Sequence, residues 1–209
     1  MDRKGILLVV SGFSGAGKGT LMKELVSRYD NYALSISATT RSPREGEVDG
    51  REYFFRTKEE FEQMIADEAL IEHACSVGNY YGTPRAYVEE QLALGRDVIL
   101  EIEIQGALQI KKRFPDTLLL FVSTPDAETL KNRLIGRGTE SLDVVEKRLS
   151  RASEEAEGIE NYDYFIINDD LDTCVTQVHQ IIQGEHSRVS RNLELITTLN
   201  KDISKFQKG

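Results

Sequence analysis

The chain has 209 residues, a formal net charge of −9 and two cysteines. That length suffices for one large core or a core carrying small insertions, and no stretch approaches the length of a transmembrane span. The acidic balance excludes general nucleic-acid binding, which needs a basic face, and it leaves the oligomeric state open. Cys75 and Cys174 lie far apart and outside any metal-ligand spacing, so both read as packing residues in a reducing cytoplasm. His73, His179 and His186 show no ligand pattern either and read as surface or packing residues.

In chain order, the apolar run Ile6 to Val10 reads as a strand leading into Gly12 to Thr20, GFSGAGKGT, with a helix over 17–29. Strand, glycine loop and helix together form a phosphate-cradling P-loop. Gly12, Gly15 and Gly17 let the backbone fold into a nest of inward N–H groups, to which Phe13, Ser14 and Ala16 also contribute. The positive end of the helix adds to that field, and Lys18 supplies a point charge for the outer phosphates. Gly19 stands where a P-loop usually carries a magnesium-ligating hydroxyl, and Thr20 follows one residue later. Water and nucleotide oxygens would then complete the metal's octahedron.

From Leu34 to Thr83 the chain is rich in turn and strand signals, interrupted by a short helix that a Thr57/Glu60 capping box opens. Pro84 suits the first position of another helix, reaching about Leu94. A strand over Asp97–Ile102, a helix over Gln105–Arg113 and a strand over Thr117–Val122 follow. Thr124-Pro125 starts a helix that stops near the glycines of RLIGRGT, and a charged helix spans about Leu142 to Gly158. A strand over Tyr164–Ile167 and one long C-terminal helix complete the pattern. Apolar strands alternating with amphipathic helices imply a parallel sheet covered on both faces.

Two arginine groups stand out in an acidic chain: Arg41, Arg44 and Arg51, then Arg133, Arg137, Arg148 and Arg151. They suggest locally held anionic ligands, with solvated helix faces as the competing account. Glu101 and Glu103 alternate along LEIEIQG and so share one face of the strand and its extension.

The segment Thr39 to Phe55, TTRSPREGEVDGREYFF, resembles the nucleotide signature of guanylate kinases, Thr-Thr-Arg-x-x-Arg-x-Gly-Glu leading to Gly-x-x-Tyr-x-Phe. The likeness extends through the P-loop, GNYYGT at 78–83, LEIEIQGA at 100–107, IGRGT and INDDLD at 167–172. The GKGT ending is similar to that of adenylate-kinase-type nucleoside monophosphate kinases. The resemblance implies an α/β fold: a P-loop core with a five-stranded parallel sheet flanked by helices, an inserted small mixed-sheet GMP-binding subdomain, and a helical lid. The corresponding spans are 1–34, 84–124 and 158–209 for the core, 35–83 for the subdomain and 125–157 for the lid.

By the same resemblance, Arg41, Arg44, Tyr53 and Tyr81 bind the GMP phosphate. Two guanidinium forks on a loop stiffened by Pro43 suit such a clamp. Glu72, Ser37 and Thr83 would choose the base, since a carboxylate accepts from guanine N1–H and its exocyclic amine while hydroxyls donate to O6. Adenine would leave that carboxylate unpaired, at a cost of about 1–3 kcal/mol. Some family members carry aspartates where Glu101 and Glu103 stand; one is expected near the shell of Mg2+ and the other near GMP. Arg137 and Arg148 match lid arginines that close over ATP. The implied reaction is transfer of the ATP γ-phosphoryl group to GMP or dGMP with Mg2+ as cofactor, in purine nucleotide metabolism. The acceptor is already anionic, so no base or triad is needed. The competing functions are a peptide-binding domain that has lost catalysis and a kinase of other base preference. The intact Lys18 and glycines weigh against the first, and Glu72 with the Thr39–Phe55 signature against the second.

Overall fold

The computed structural model describes residues 4–135, 152 and 156–206. Two sheets organise them. The larger is five-stranded and comprises β1 (Leu7–Gly12), β2 (Tyr32–Leu34), β7 (Asp97–Glu101), β8 (Leu118–Ser123) and β9 (Tyr164–Ile167). Their spatial order is β2-β7-β1-β8-β9, and every pairing is parallel. The central strands are continuous apolar runs because helices cover both faces. One face packs Leu8, Val10, Ile99 and Leu120 against α1 (Lys18–Arg28) and α6 (Leu171–His186). The other packs Leu7, Val9, Val98 and Leu119 against α3 (Arg85–Ala93) and α4 (Ile104–Arg113). α5 (Ala127–Ile135) lays Leu130 and Leu134 beside Phe13 of the glycine loop.

The second sheet is four-stranded and mixed. Its strands are β3 (Ala38–Thr39), β4 (Phe54–Phe55), β5 (Leu70–Ser76) and β6 (Asn79–Pro84), in the order β4-β3-β6-β5. β3 pairs with β4 in parallel, while β3–β6 and β5–β6 are antiparallel. One face packs Ala38 and Leu70, with Phe54 and Tyr80, around Phe61 of α2 (Lys58–Ala66). The expected Thr57/Glu60 capping box opens that helix.

Three expectations need correction. The C-terminal region is two helices, α6 and α7 (Leu193–Lys205), separated by a 3-10 turn at Val189–Arg191. Asn192 ends the first by donating from Nδ2 to the carbonyls of His186 and Arg188, both at 2.8 Å. Cys174 packs in the core, whereas Cys75 is exposed on β5. Pro84 ends β6 and caps α3 instead of occupying its first turn. The charged helix read over Leu142–Gly158 lies largely outside the described residues. No described helix is long and apolar enough to cross a membrane.

His186 Nε2 lies 2.8 Å from Oδ1 of the buried Asp97 carboxylate, within hydrogen-bond distance. Asp97 also accepts from Ile6 N–H and from Asn31 Nδ2. This hub pins the end of α6 to the start of β7, at the opposite end of the strand from Glu101.

Candidate active site

The C-terminal ends of β1 and β7 meet at the glycine loop, where open parallel sheets bind ligands. Val10 of β1 is registered with Glu101, the last residue of β7. Gly17 caps α1 at φ 89°, a left-handed conformation that side-chain-bearing residues rarely adopt. A Cβ there would also stand 2.6 Å from Asn168 Nδ2. Asn168 is buried and donates to the Ala16 carbonyl at 2.8 Å, bracing the loop from below. Lys18 Nζ donates to the carbonyls of Gly12 at 2.7 Å and Phe13 at 3.2 Å.

A Cβ built on Gly19 would stand 3.6 and 3.8 Å from the two Glu101 carboxylate oxygens. The first turn of α1 therefore runs alongside that carboxylate. Enclosure by the protein raises the Glu101 carboxyl above its ordinary range, while Lys18 and Lys23 pull it back. Glu103 stands two residues further on as the residue before α4 and accepts from Ser76 Oγ of β5 at 3.1 Å. The two acids thus diverge: Glu101 belongs to the glycine loop, and Glu103 belongs to the smaller sheet.

Period-2 alternation sets the other half of the site. Tyr81 and Thr83 share one face of β6, and Glu72 lies opposite Thr83 on β5. Tyr80 and Gly82 point the other way, toward Phe61. Glu72 and Thr83 are both buried, and Thr83 Oγ1 donates to Glu72 Oε1 at 2.7 Å. Burial pushes the Glu72 carboxyl up to about 7, opposed by the Thr83 hydrogen bonds. Ser37 precedes β3 and is half-buried, its carbonyl accepting from Phe54 N–H at 2.9 Å.

The loop after β3 carries the arginines. Arg41 Nη2 lies 2.9 Å from Glu47 Oε2, and its guanidinium stacks over the rings of Tyr53 and Phe55. Glu47 also accepts from Arg44 N–H at 2.7 Å, so one carboxylate shapes both arginine positions. The Arg44 residue is exposed. Tyr53 and Tyr81 meet edge to face at 6.1 Å. Burial raises the Tyr53 phenol, with Tyr81 and then Glu101 adding to the effect and Arg41 opposing it. Tyr53 therefore lies in the fields of both Arg41 and Glu101, while Glu101 lies in that of Lys18. Glu101 is thus the acid that acts electrostatically on both the glycine-loop lysine and the Tyr53 phenol.

Against this geometry, the guanylate kinase family model matches residues 4–185. The guanylate kinase of Bacillus anthracis is 53% identical over 191 residues, covering 91% of this chain and 93% of its own. That of Lactococcus lactis subsp. lactis is 46% identical over 203 residues, covering 97% and 99%. The chain belongs to the guanylate kinase family. Among solved structures, the guanylate kinase of Anaplasma phagocytophilum superposes with a TM-score of 0.74 at 30% identity, covering 90% of this chain and 89% of that one.

The structure brings together the family signature's Arg41, Tyr53 and Tyr81, and separately Glu72 with Thr83. Arg137 and Arg148 lie outside the described residues. Sequence reasoning assigned no role to Asn168 or Glu47, although both sit inside recognised segments, INDDLD and the arginine signature. A carboxylate three residues after Arg44 was the available signal for Glu47.

Proposed function

We propose that the chain transfers the γ-phosphoryl group of ATP to the phosphate of GMP or dGMP, giving ADP and the corresponding diphosphate. The observation that carries this reading is the pairing of an intact glycine loop, with Lys18 on the Gly12 carbonyl and Glu101 beside Gly19, with the cluster of Arg41, Tyr53 and Tyr81 in the inserted sheet. A phosphate oxygen of the monophosphate attacks the γ-phosphorus as the bond to the β–γ bridging oxygen breaks. Both reactants are anions, so the task is to position them and neutralise charge.

Lys18 and the N–H groups of residues 12–20 hold the donor phosphates. Arg41, Arg44, Tyr53 and Tyr81 hold the acceptor phosphate. For Arg41, the acceptor replaces or shares the Glu47 partner, which keeps the guanidinium extended along the aromatic rings beforehand. Glu72 accepts from guanine N1–H and the amine, with Ser37 and Thr83 beside it. Because Thr83 Oγ1 already donates to Glu72, Thr83 first serves to orient that carboxylate. Glu103 faces the monophosphate side through its contact with Ser76.

Mg2+ would arrive with ATP and supply charge neutralisation on the β and γ oxygens. The residues present fit a water-mediated ion: the space at the Gly19 Cβ position faces the Glu101 carboxylate at 3.6 Å. By the family resemblance Arg137 and Arg148, which lie outside the described residues, would supply positive charge to the ATP phosphates, where a pair of unit charges about 4 Å apart contributes roughly 4 kcal/mol at an effective dielectric of ~20.

The test is a coupled assay with GMP, AMP, CMP and UMP as acceptors. Turnover with GMP exceeding the others by about 10⁴-fold in kcat/KM is expected from a buried hydrogen-bonding site. Comparable turnover with AMP would overturn the base assignment, and none with any acceptor would leave a binding domain.

A further inference from the structure

The geometry points to Gly106 as a positioning residue for base choice: its missing side chain lets the Glu72 carboxylate stand where guanine needs it. This inference rests on the role of Glu72 proposed above.

Gly106 is the third residue of α4 and does not have a left-handed φ. Conformational freedom therefore gives no reason for glycine here, and glycine inside a helix weakens it relative to alanine. Close approach does give one. A Cβ on Gly106 would stand 2.7 Å from Glu72 Oε2 and 3.4 Å from its carboxyl carbon, with Ile102 Cδ1 at 3.2 Å. The first distance is below what carbon and oxygen sustain without contact, so something must move.

The mobile partner is the carboxylate. Its other oxygen is anchored by Thr83 Oγ1 at 2.7 Å, and both residues are buried in paired strands. An added methyl would turn or push the carboxylate about that anchor. Two parallel hydrogen bonds to one base edge demand a carboxylate in the plane of that edge, and recognition tolerates displacements of only about 0.5 Å or 10–20°. The loss should fall on base recognition and spare the glycine loop, which lies on another strand end.

Steady-state kinetics of Gly106→Ala with GMP and with inosine monophosphate, which lacks the exocyclic amine, test this. At saturating ATP the KM for GMP should rise about tenfold with kcat within about twofold. The preference for GMP over inosine monophosphate should narrow by about threefold or more. In a Glu72→Ala background the same substitution should change neither quantity further. An unchanged preference in Gly106→Ala, or an equal effect in both backgrounds, overturns the inference and leaves glycine a packing residue. Full preference retained by Glu72→Ala alone overturns the Glu72 role and this inference with it. Should Gly106→Ala melt too low to assay, Glu72→Ala/Gly106→Ala must melt higher than Gly106→Ala, because the obstructed carboxylate is gone; a double variant melting no higher overturns the proposal.

Discussion

The five-stranded sheet is packed on both faces by two clusters, and every residue from Leu7 to Val10 and from Leu118 to Ser123 is buried. Among the described residues, the cluster between the four-stranded sheet and α2 buries only Ala38, Phe61 and Leu70. Their charged groups differ in the same sense. Lys18 stands on a loop braced by Asn168 and the α1 terminus, fixed by backbone geometry. Arg41 stands on an irregular loop held by side-chain hydrogen bonds, in which one carboxylate, Glu47, serves both arginine positions. Deep packing gives the glycine loop a fixed cradle. Shallow packing leaves the arginine loop more adjustable, since local stability follows buried apolar contact.

The sharpest way to break this contrast is Phe61→Ala. Phe61 is fully buried and stacks on Tyr80 at 5.4 Å, so its loss should cost about 3–5 kcal/mol, borne by the smaller sheet. Hydrogen exchange should then accelerate in β3, β5 and β6 and stay slow in β1 and β8. Equal acceleration in both sheets would make them one cooperative unit. Next in size is Lys18→Met, which should lower kcat by about 10²–10³ while GMP affinity by calorimetry stays within about twofold. A comparable loss of GMP affinity would mean the two halves are not separable.

The smallest effect concerns pH. Burial lifts the Glu72 carboxyl from 4.5 to about 7 in the folded protein. The stability that its protonated form contributes is fully present below 4.5 and is lost as pH rises through about 7. Glu72→Gln should therefore gain stability relative to the unsubstituted chain over that window. On the proposed role of Glu72 guanine is bound by the ionised form, so GMP affinity should rise by about fivefold between about pH 6 and 7, by about twofold more to about pH 8, and then level off. Isothermal titration at about pH 6, 7 and 8 measures this, and an identical profile in Glu72→Gln would remove Glu72 from the contact.

Much of this was legible beforehand, for particular reasons. Strands β1, β7 and β8 are apolar runs bounded by turn residues, and the capping box of α2 is a local interaction, so spacing alone located them. The break between α6 and α7 was not legible, because it depends on Asn192 reaching back to His186 and Arg188. Cys75 and Cys174 look alike in sequence; their different burial comes from which face of a strand or helix each occupies. The partition of Glu101 and Glu103 was foreseen only as a pair of alternatives, since two acids on one face do not reveal what stands opposite each.

The amino-acid order by itself determined the glycine loop, the two arginine groups, the alternating α/β plan and the family, because these depend on neighbours within a few residues or on motif order. The tertiary structure decided what residues far apart in sequence do to one another. Asn168 supports Ala16, Glu101 lies beside Gly19, and Glu72 rests against Gly106. Each of those contacts joins separate strands or helices, and its distance is set by how whole elements pack, which no local pattern encodes.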